Sequence, residues 1–118
     1  MPDPVILSMP YPTSANALWR SVKGRNIASA PYRKWMNEAT WHIRSQRPRE
    51  VVGGYILTIT ASRPDKRRRD LGNLEKATSD ALVKAGVIKD DCDAERIILE
   101  WSGAVIKGGT MTVRLEEA

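Results

Sequence analysis

The 118 residues predict a single α/β (α+β) domain: a mixed four-stranded sheet with two helices packed on it, in the order β-α-β-α-β-β. Three observations carry this expectation. Four short runs alternate apolar and polar residues or are apolar throughout. Two longer stretches repeat apolar residues every three or four positions. Prolines, glycines and charge clusters separate these six segments. The length allows one core and not two, so residues 1–118 are read as one domain.

Val5 to Met9 is an apolar run that reads as a buried strand, ended by Pro10 and Pro12. Thr13 to Ile27 reads as an irregular segment containing Asn16, Trp19, Arg20, Lys23, Gly24, Arg25 and Asn26. Interleaved basic and aromatic residues suit phosphate contact and base stacking, and equally suit a surface loop with one aromatic tucked inward. Ser29 with Pro31 just inside marks a helix start. Tyr32, Trp35, Met36, Ala39 and Ile43 then recur at helical spacing. The helix should run to about Gln46, because Pro48 disfavours helix at Arg47. Its outer face carries Arg33, Lys34, Arg44 and His42.

Tyr55, Leu57, Ile59 and Ala61 alternate with Ile56, Thr58 and Thr60. The second face is partly apolar too, which predicts a central strand. Asp70 is a good cap for a second helix, in which Leu71, Leu74, Thr78, Leu82 and Ala85 recur until Gly86. Val87 to Asp93 is a loop holding Asp90, Asp91 and Asp93. Ile97, Leu99 and Trp101 alternate as a third strand. Lys107-Gly108-Gly109 turns the chain into a fourth, Met111 to Leu115.

The formal net charge is +5 and the pI about 9.7, an excess that favours polyanions, either nucleic acid or an acidic membrane surface. No apolar run approaches the roughly 18 residues of a membrane span, and Met-Pro-Asp-Pro lacks the layout of a signal peptide. One cysteine, Cys92, excludes an internal disulfide and fits a reducing cytoplasm. One histidine, His42, argues against a His/Cys zinc site and against a Ser-His-Asp triad.

The stretch with most chemistry is Arg63 to Lys76. Arg63, Lys66, Arg67, Arg68 and Arg69 precede Asp70 at the helix start. Basic charge beside a carboxylate suits a nucleic-acid phosphate held near a metal ion; a capped helix after a solvated basic loop accounts for the same residues. Hard divalent cations want several oxygen ligands, which Asp70, Asp90 and Asp91 supply if the fold brings them together. Asp93 reads as a cap or strand-edge charge. Lys76 lies one turn beyond position 72 on the same flank, where its ammonium can face a phosphate.

Arg67-Arg-Arg-Asp-Leu-Gly-Asn-Leu-Glu-Lys76, then Asp80-Ala-Leu-Val-Lys-Ala-Gly86 and Asp90-Asp91, resemble the signature of the RusA-type Holliday junction resolvases. Pro10, Pro12, Ser14, Asn16, Gly24 and Arg25 upstream are similar, as is the late Lys107-Gly108-Gly109 turn. The resemblance covers nearly the whole chain. It implies a small dimeric endonuclease of bacterial or phage origin, cytoplasmic, that nicks four-way DNA junctions with Mg²⁺, Mn²⁺ being a possible substitute. It implies metal-binding, catalytic roles for Asp70 and Asp91, with Asp90 a weaker ligand. Lys76 matches a lysine tied to cleavage. Arg69, with Lys66, Arg67 and Arg68, matches DNA-contacting positions, and Arg25 and Asn16 join them. A homodimer would place two sites on two symmetric arms.

One departure matters. The family pattern has aspartate where this chain has Gly72. Glycine offers no ligand, and Glu75 lies about 60° around the helix from position 72, a poor replacement. Losing one of three carboxylates lowers metal affinity and also removes a charge that repels phosphate. The expectation is junction binding kept or tightened and cleavage much reduced. Two alternatives stand beside an active nuclease: a junction-binding protein that does not cut, and a basic RNA-binding domain.

Overall fold

The computed structural model describes residues 3–12, 19–22, 25–28 and 30–118, the two short internal segments by backbone alone. Strand β1 spans Val5–Pro10, β2 Trp19–Val22 and β3 Arg25–Ala28. Helix α1 spans Ala30–Ser45, β4 Tyr55–Arg63, α2 Leu74–Lys84, β5 Ala94–Val105 and β6 Thr110–Glu117. The mixed sheet of four strands and the two helices are those the periodicities predict.

One segment differs. Trp19 to Ala28 is an antiparallel pair, β2 with β3, Trp19 standing opposite Ala28 and Val22 opposite Arg25. Four-residue strands are too short to show an alternation, so the segment reads as irregular from sequence. Ser14, Asn16, Lys23, Gly24 and Ser29 lie outside the described residues.

The main sheet has the order β1-β6-β4-β5. β6 runs antiparallel to both neighbours, and β5 runs parallel to β4. The glycine turn between β5 and β6 therefore closes no hairpin, because β4 lies between the two strands. Gly108 and Gly109 take φ of 82° and 72° there, a region closed to most side chains.

Three ladders cross the whole sheet on its helix-covered face. Val5, Leu115, Leu57 and Ile97 form one; Leu7, Val113, Ile59 and Leu99 the next; Met9, Met111, Ala61 and Trp101 the third. All but the β5 members are buried; at the β5 edge Leu99 and Trp101 are partly buried and Ile97 is exposed. Each fully buried aliphatic side chain contributes roughly 1.5–3 kcal/mol by leaving water. The period of two is what selects these residues: the next residue along, Ile6, is 63% exposed on the other face.

α1 buries Tyr32, Trp35, Met36, Ala39 and Ile43, and Trp35 donates its indole N–H to the Pro10 carbonyl at 3.1 Å, pinning the helix to β1. α2 buries Leu74, Ala77, Thr78, Ala81 and Leu82. Polar contacts join the helices. The Arg44 guanidinium donates to the Lys84 carbonyl at 3.1 Å, Lys84 donates to Asn37 at 3.0 Å, and the Tyr32 hydroxyl donates to Asp80 at 3.0 Å. A cation on the last carbonyls of a helix offsets its negative end. Among the described residues no helix is long and apolar enough to cross a membrane.

Candidate nucleic-acid interface and acidic site

The basic loop leaves the end of the central strand. Arg63 lies over the Trp101 ring, its guanidinium carbon 4.5 Å from the ring centroid. Asp65 then organises the basic residues beyond it. Its Oδ1 accepts from the Arg67 backbone N–H at 3.0 Å, and its Oδ2 accepts from the Arg69 guanidinium at 2.8 Å. These bonds, the Arg69 one first, hold the Asp65 carboxyl below the usual carboxylate range. Arg69 is drawn in to 23% side-chain exposure, whereas Arg67 stands out at 83%. The Arg69 Nε is buried without a hydrogen-bond partner, an unused donor. Lys66 and Arg68 are exposed. The loop thus presents charge outward from one internally tethered arginine.

Asp70 begins the next turn. Its Oδ1 accepts from the Gly72 N–H at 3.0 Å, and Leu71–Asn73 form a 3₁₀ turn that leads into α2. The helix expected to start at Asp70 therefore opens with this turn, α-helical bonding beginning at Leu74. Gly72 is exposed and its φ lies outside the left-handed region, so nothing in the backbone demands glycine there. A Cβ at 72 would meet one neighbouring atom, the Asp70 Oδ1, at 3.4 Å, an ordinary contact. The position has room for a side chain, and that side chain would stand beside Asp70.

The second acidic element uses the same device. Asp90 Oδ1 accepts from the Cys92 N–H at 3.0 Å and starts a 3₁₀ turn over Asp91–Asp93 that feeds β5. The Cys92 bonds lower the Asp90 carboxyl, and the hydrogen bond between Asp90 and Asp91 raises that of Asp91. Burial and the charges of Asp90 and Asp80 raise Asp91 further, while Lys76 lowers it. Under this turn lies Tyr55, whose backbone is opposite Ala94 in the sheet and whose side chain is buried. Its hydroxyl has no hydrogen-bond partner. Burial, then the charges of Asp91, Glu75, Asp93 and Asp90, push it up to about 12. Glu75 accepts from the Ser79 hydroxyl at 2.8 Å.

Of the residues singled out from sequence, the structure brings Asp90, Asp91 and Lys76 into one electrostatic neighbourhood. It places Asp70 in the turn just after Lys66, Arg67, Arg68 and Arg69. Arg25 opens β3, described by backbone alone, and Asn16 lies outside the described residues. Among the described residues no group of three His, Cys, Asp or Glu side chains is arranged to hold a metal ion. Position 72 is the open place beside Asp70, where a side chain has room.

Sequence reading did not single out Asp65 and Asp80 as partners of the basic residues. Both sit four residues from a basic partner, Arg69 and Lys76, and that spacing was the available signal. Tyr55 gave no signal beyond its place in a strand.

Comparison with known proteins agrees with the motif. The family described as endodeoxyribonuclease RusA matches residues 10–116. The chain is 32% identical over 114 residues to the crossover junction endodeoxyribonuclease RusA of Shigella sonnei, covering 94% of this chain and 92% of that protein. The same identity and coverage hold for the protein of that name from Escherichia coli K12. The counterpart in Enterobacteria phage HK97 is 30% identical over 92% of this chain and 91% of its own length. A family match over residues 10–116, together with relatives 30–32% identical over more than nine-tenths of the chain, places this chain in the RusA endodeoxyribonuclease family.

Proposed function

We propose that this chain is a Holliday junction resolvase in lineage whose present sequence binds four-way junction DNA and cuts it poorly. The observation that carries the reading is Gly72: an open, exposed position, free of backbone constraint, beside Asp70 and at the end of the arginine loop. The loop of Lys66, Arg67, Arg68 and Arg69 supplies the sequence-independent attraction to phosphates. Arg25 and Asn16 are proposed to add to those phosphate contacts. Lys76 would face the phosphate next to Asp91. Mg²⁺, or Mn²⁺ in its place, is the proposed ion, with Asp70 and Asp91 its ligands. Asp90 is proposed as a weaker one.

A homodimer is part of the proposal. β5 is an end strand with one neighbour, and it exposes Ile97 at 42% and Val105 at 51%. An unpaired edge with apolar side chains is a pairing surface. A twofold pair would double the phosphates neutralised and present two sites to two symmetric strands.

The test is a synthetic four-way junction with Mg²⁺ and with Mn²⁺, comparing the present chain with the Gly72→Asp protein. Binding by both and nicking by the second alone is the expected result. Nicking by the present chain at the rate of the second shows that position 72 is not a needed ligand. Failure of both to prefer the junction over duplex DNA overturns the reading altogether.

A further inference from the structure

Gly72, Lys76 and Asp80 succeed one another at four-residue steps, so they lie on one flank of the second helix and its opening turn. The last of them is unusually well anchored. Asp80 Oδ2 accepts from the Tyr32 hydroxyl of α1 at 3.0 Å, and Tyr32 is 4% exposed, its ring stacked on Trp35. The Lys76 ammonium lies 3.7 Å from that same Oδ2. Lys76 is itself 62% exposed at its side chain, and it feels Asp91 across the gap. A lysine with four rotatable carbons has many positions open to it, and an exposed ion pair alone restricts them little. Here one partner is held by a buried phenol, so the carboxylate that Lys76 meets does not move with it.

We propose that Asp80, fixed by Tyr32, is a positioning residue that holds the Lys76 ammonium over the Asp90–Asp91 turn. This rests on the reading of the chain as a junction resolvase, in which Lys76 meets the phosphate. Tyr32 sets Asp80, Asp80 sets Lys76, and the packing of α1 on α2 thereby determines where a charge sits at the acidic site. The role goes beyond that of a helix-surface ion pair, because removing the phenol should disturb a lysine that the phenol does not neutralise.

The test uses the full chain, with and without Gly72→Asp, carrying Asp80→Asn, Asp80→Glu or Tyr32→Phe. The first readout is the NMR signal of the Lys76 side chain, which needs no catalysis. Asp80→Asn should shift the Lys76 Cε signal and increase its mobility; Tyr32→Phe should do so in part; Asp80→Glu should restore some order. The second readout is single-turnover nicking of the junction by the Gly72→Asp protein. Asp80→Asn should slow it about tenfold, the loss typical of residues that orient a reacting group, while the junction Kd changes less than about twofold. Lys76 signals that stay unmoved in a folded Asp80→Asn protein overturn the proposal, as does nicking at the parent rate. If the Gly72→Asp protein does not nick at all, the functional reading fails, and the Lys76 signals still decide the role of Asp80.

Discussion

Asp65 accepts a 2.8 Å hydrogen bond from Arg69, so the most basic segment of the chain carries its own counter-ion. Removing it has two opposed effects. Asp65→Asn adds a positive charge to the formal +5, which alone would tighten binding to any polyanion. It also frees Arg69 and the Arg67 backbone, so that DNA must order the loop on binding. We expect the second effect to win, with junction affinity falling about threefold to tenfold in the Asp65→Asn protein. Tighter binding in a gel-shift titration would show that net charge dominates. The tether has a pH signature. Because the folded Asp65 carboxyl lies below its usual range, its contribution is complete above the ordinary carboxylate pKa of about 3.9 and is lost as pH falls through the lower folded value. Arg69 side-chain NMR signals should hold steady at pH 4–5 and change only below that range.

The exposed members of the loop should act as plain charges. Arg68→Gln should weaken junction and duplex binding alike and reduce the slope of log affinity against log salt by about one. A change in preference for the junction without a change in slope would make Arg68 a shape-reading residue instead.

Placing a carboxylate at position 72 costs little sterically, the nearest atom to its Cβ being the Asp70 Oδ1 at 3.4 Å. Without metal, two adjacent carboxylates should weaken DNA binding. With Mg²⁺, Gly72→Asp should raise junction nicking by about a hundredfold over the present chain, on the scale of restoring one lost catalytic group. A nicking time course with each metal, run beside a metal-free binding titration, checks both halves of the statement.

Tyr55 offers a test independent of DNA. Its hydroxyl is buried without a partner, so Tyr55→Phe removes a cost and little else. Urea unfolding should show the Phe protein more stable by about 1 kcal/mol. A loss of stability would mean that the hydroxyl is bonded in solution, Asp91 and Glu75 being the foremost acidic groups that act on it.

Neighbouring positions should separate core from surface. Ile59→Ala, at 0% exposure in the central ladder, should cost about 2–5 kcal/mol. Ile6→Ala, at 63% exposure on the uncovered face, should change stability by less than about 0.5 kcal/mol. Equal losses would mean that the Ile6 face is covered in solution.

The main architecture was legible because periodicity is a local property. Leu57, Ile59 and Ala61 must share a face wherever the strand lies, and Leu74, Thr78 and Leu82 must share a stripe. The basic run and the capping aspartates Asp70 and Asp90 are likewise local and were readable. The β2–β3 pairing was not, since four residues hold too little pattern, and neither was the insertion of β4 between β5 and β6. What only the tertiary structure decided is which charges meet. Asp80 reaches Tyr32 across 48 positions of sequence because α1 packs on α2, and Lys76 bears on Asp91 because the turn before β5 comes back beside α2. Charge is written residue by residue, but its effect depends on distance, and distance between remote residues exists only once the chain has folded.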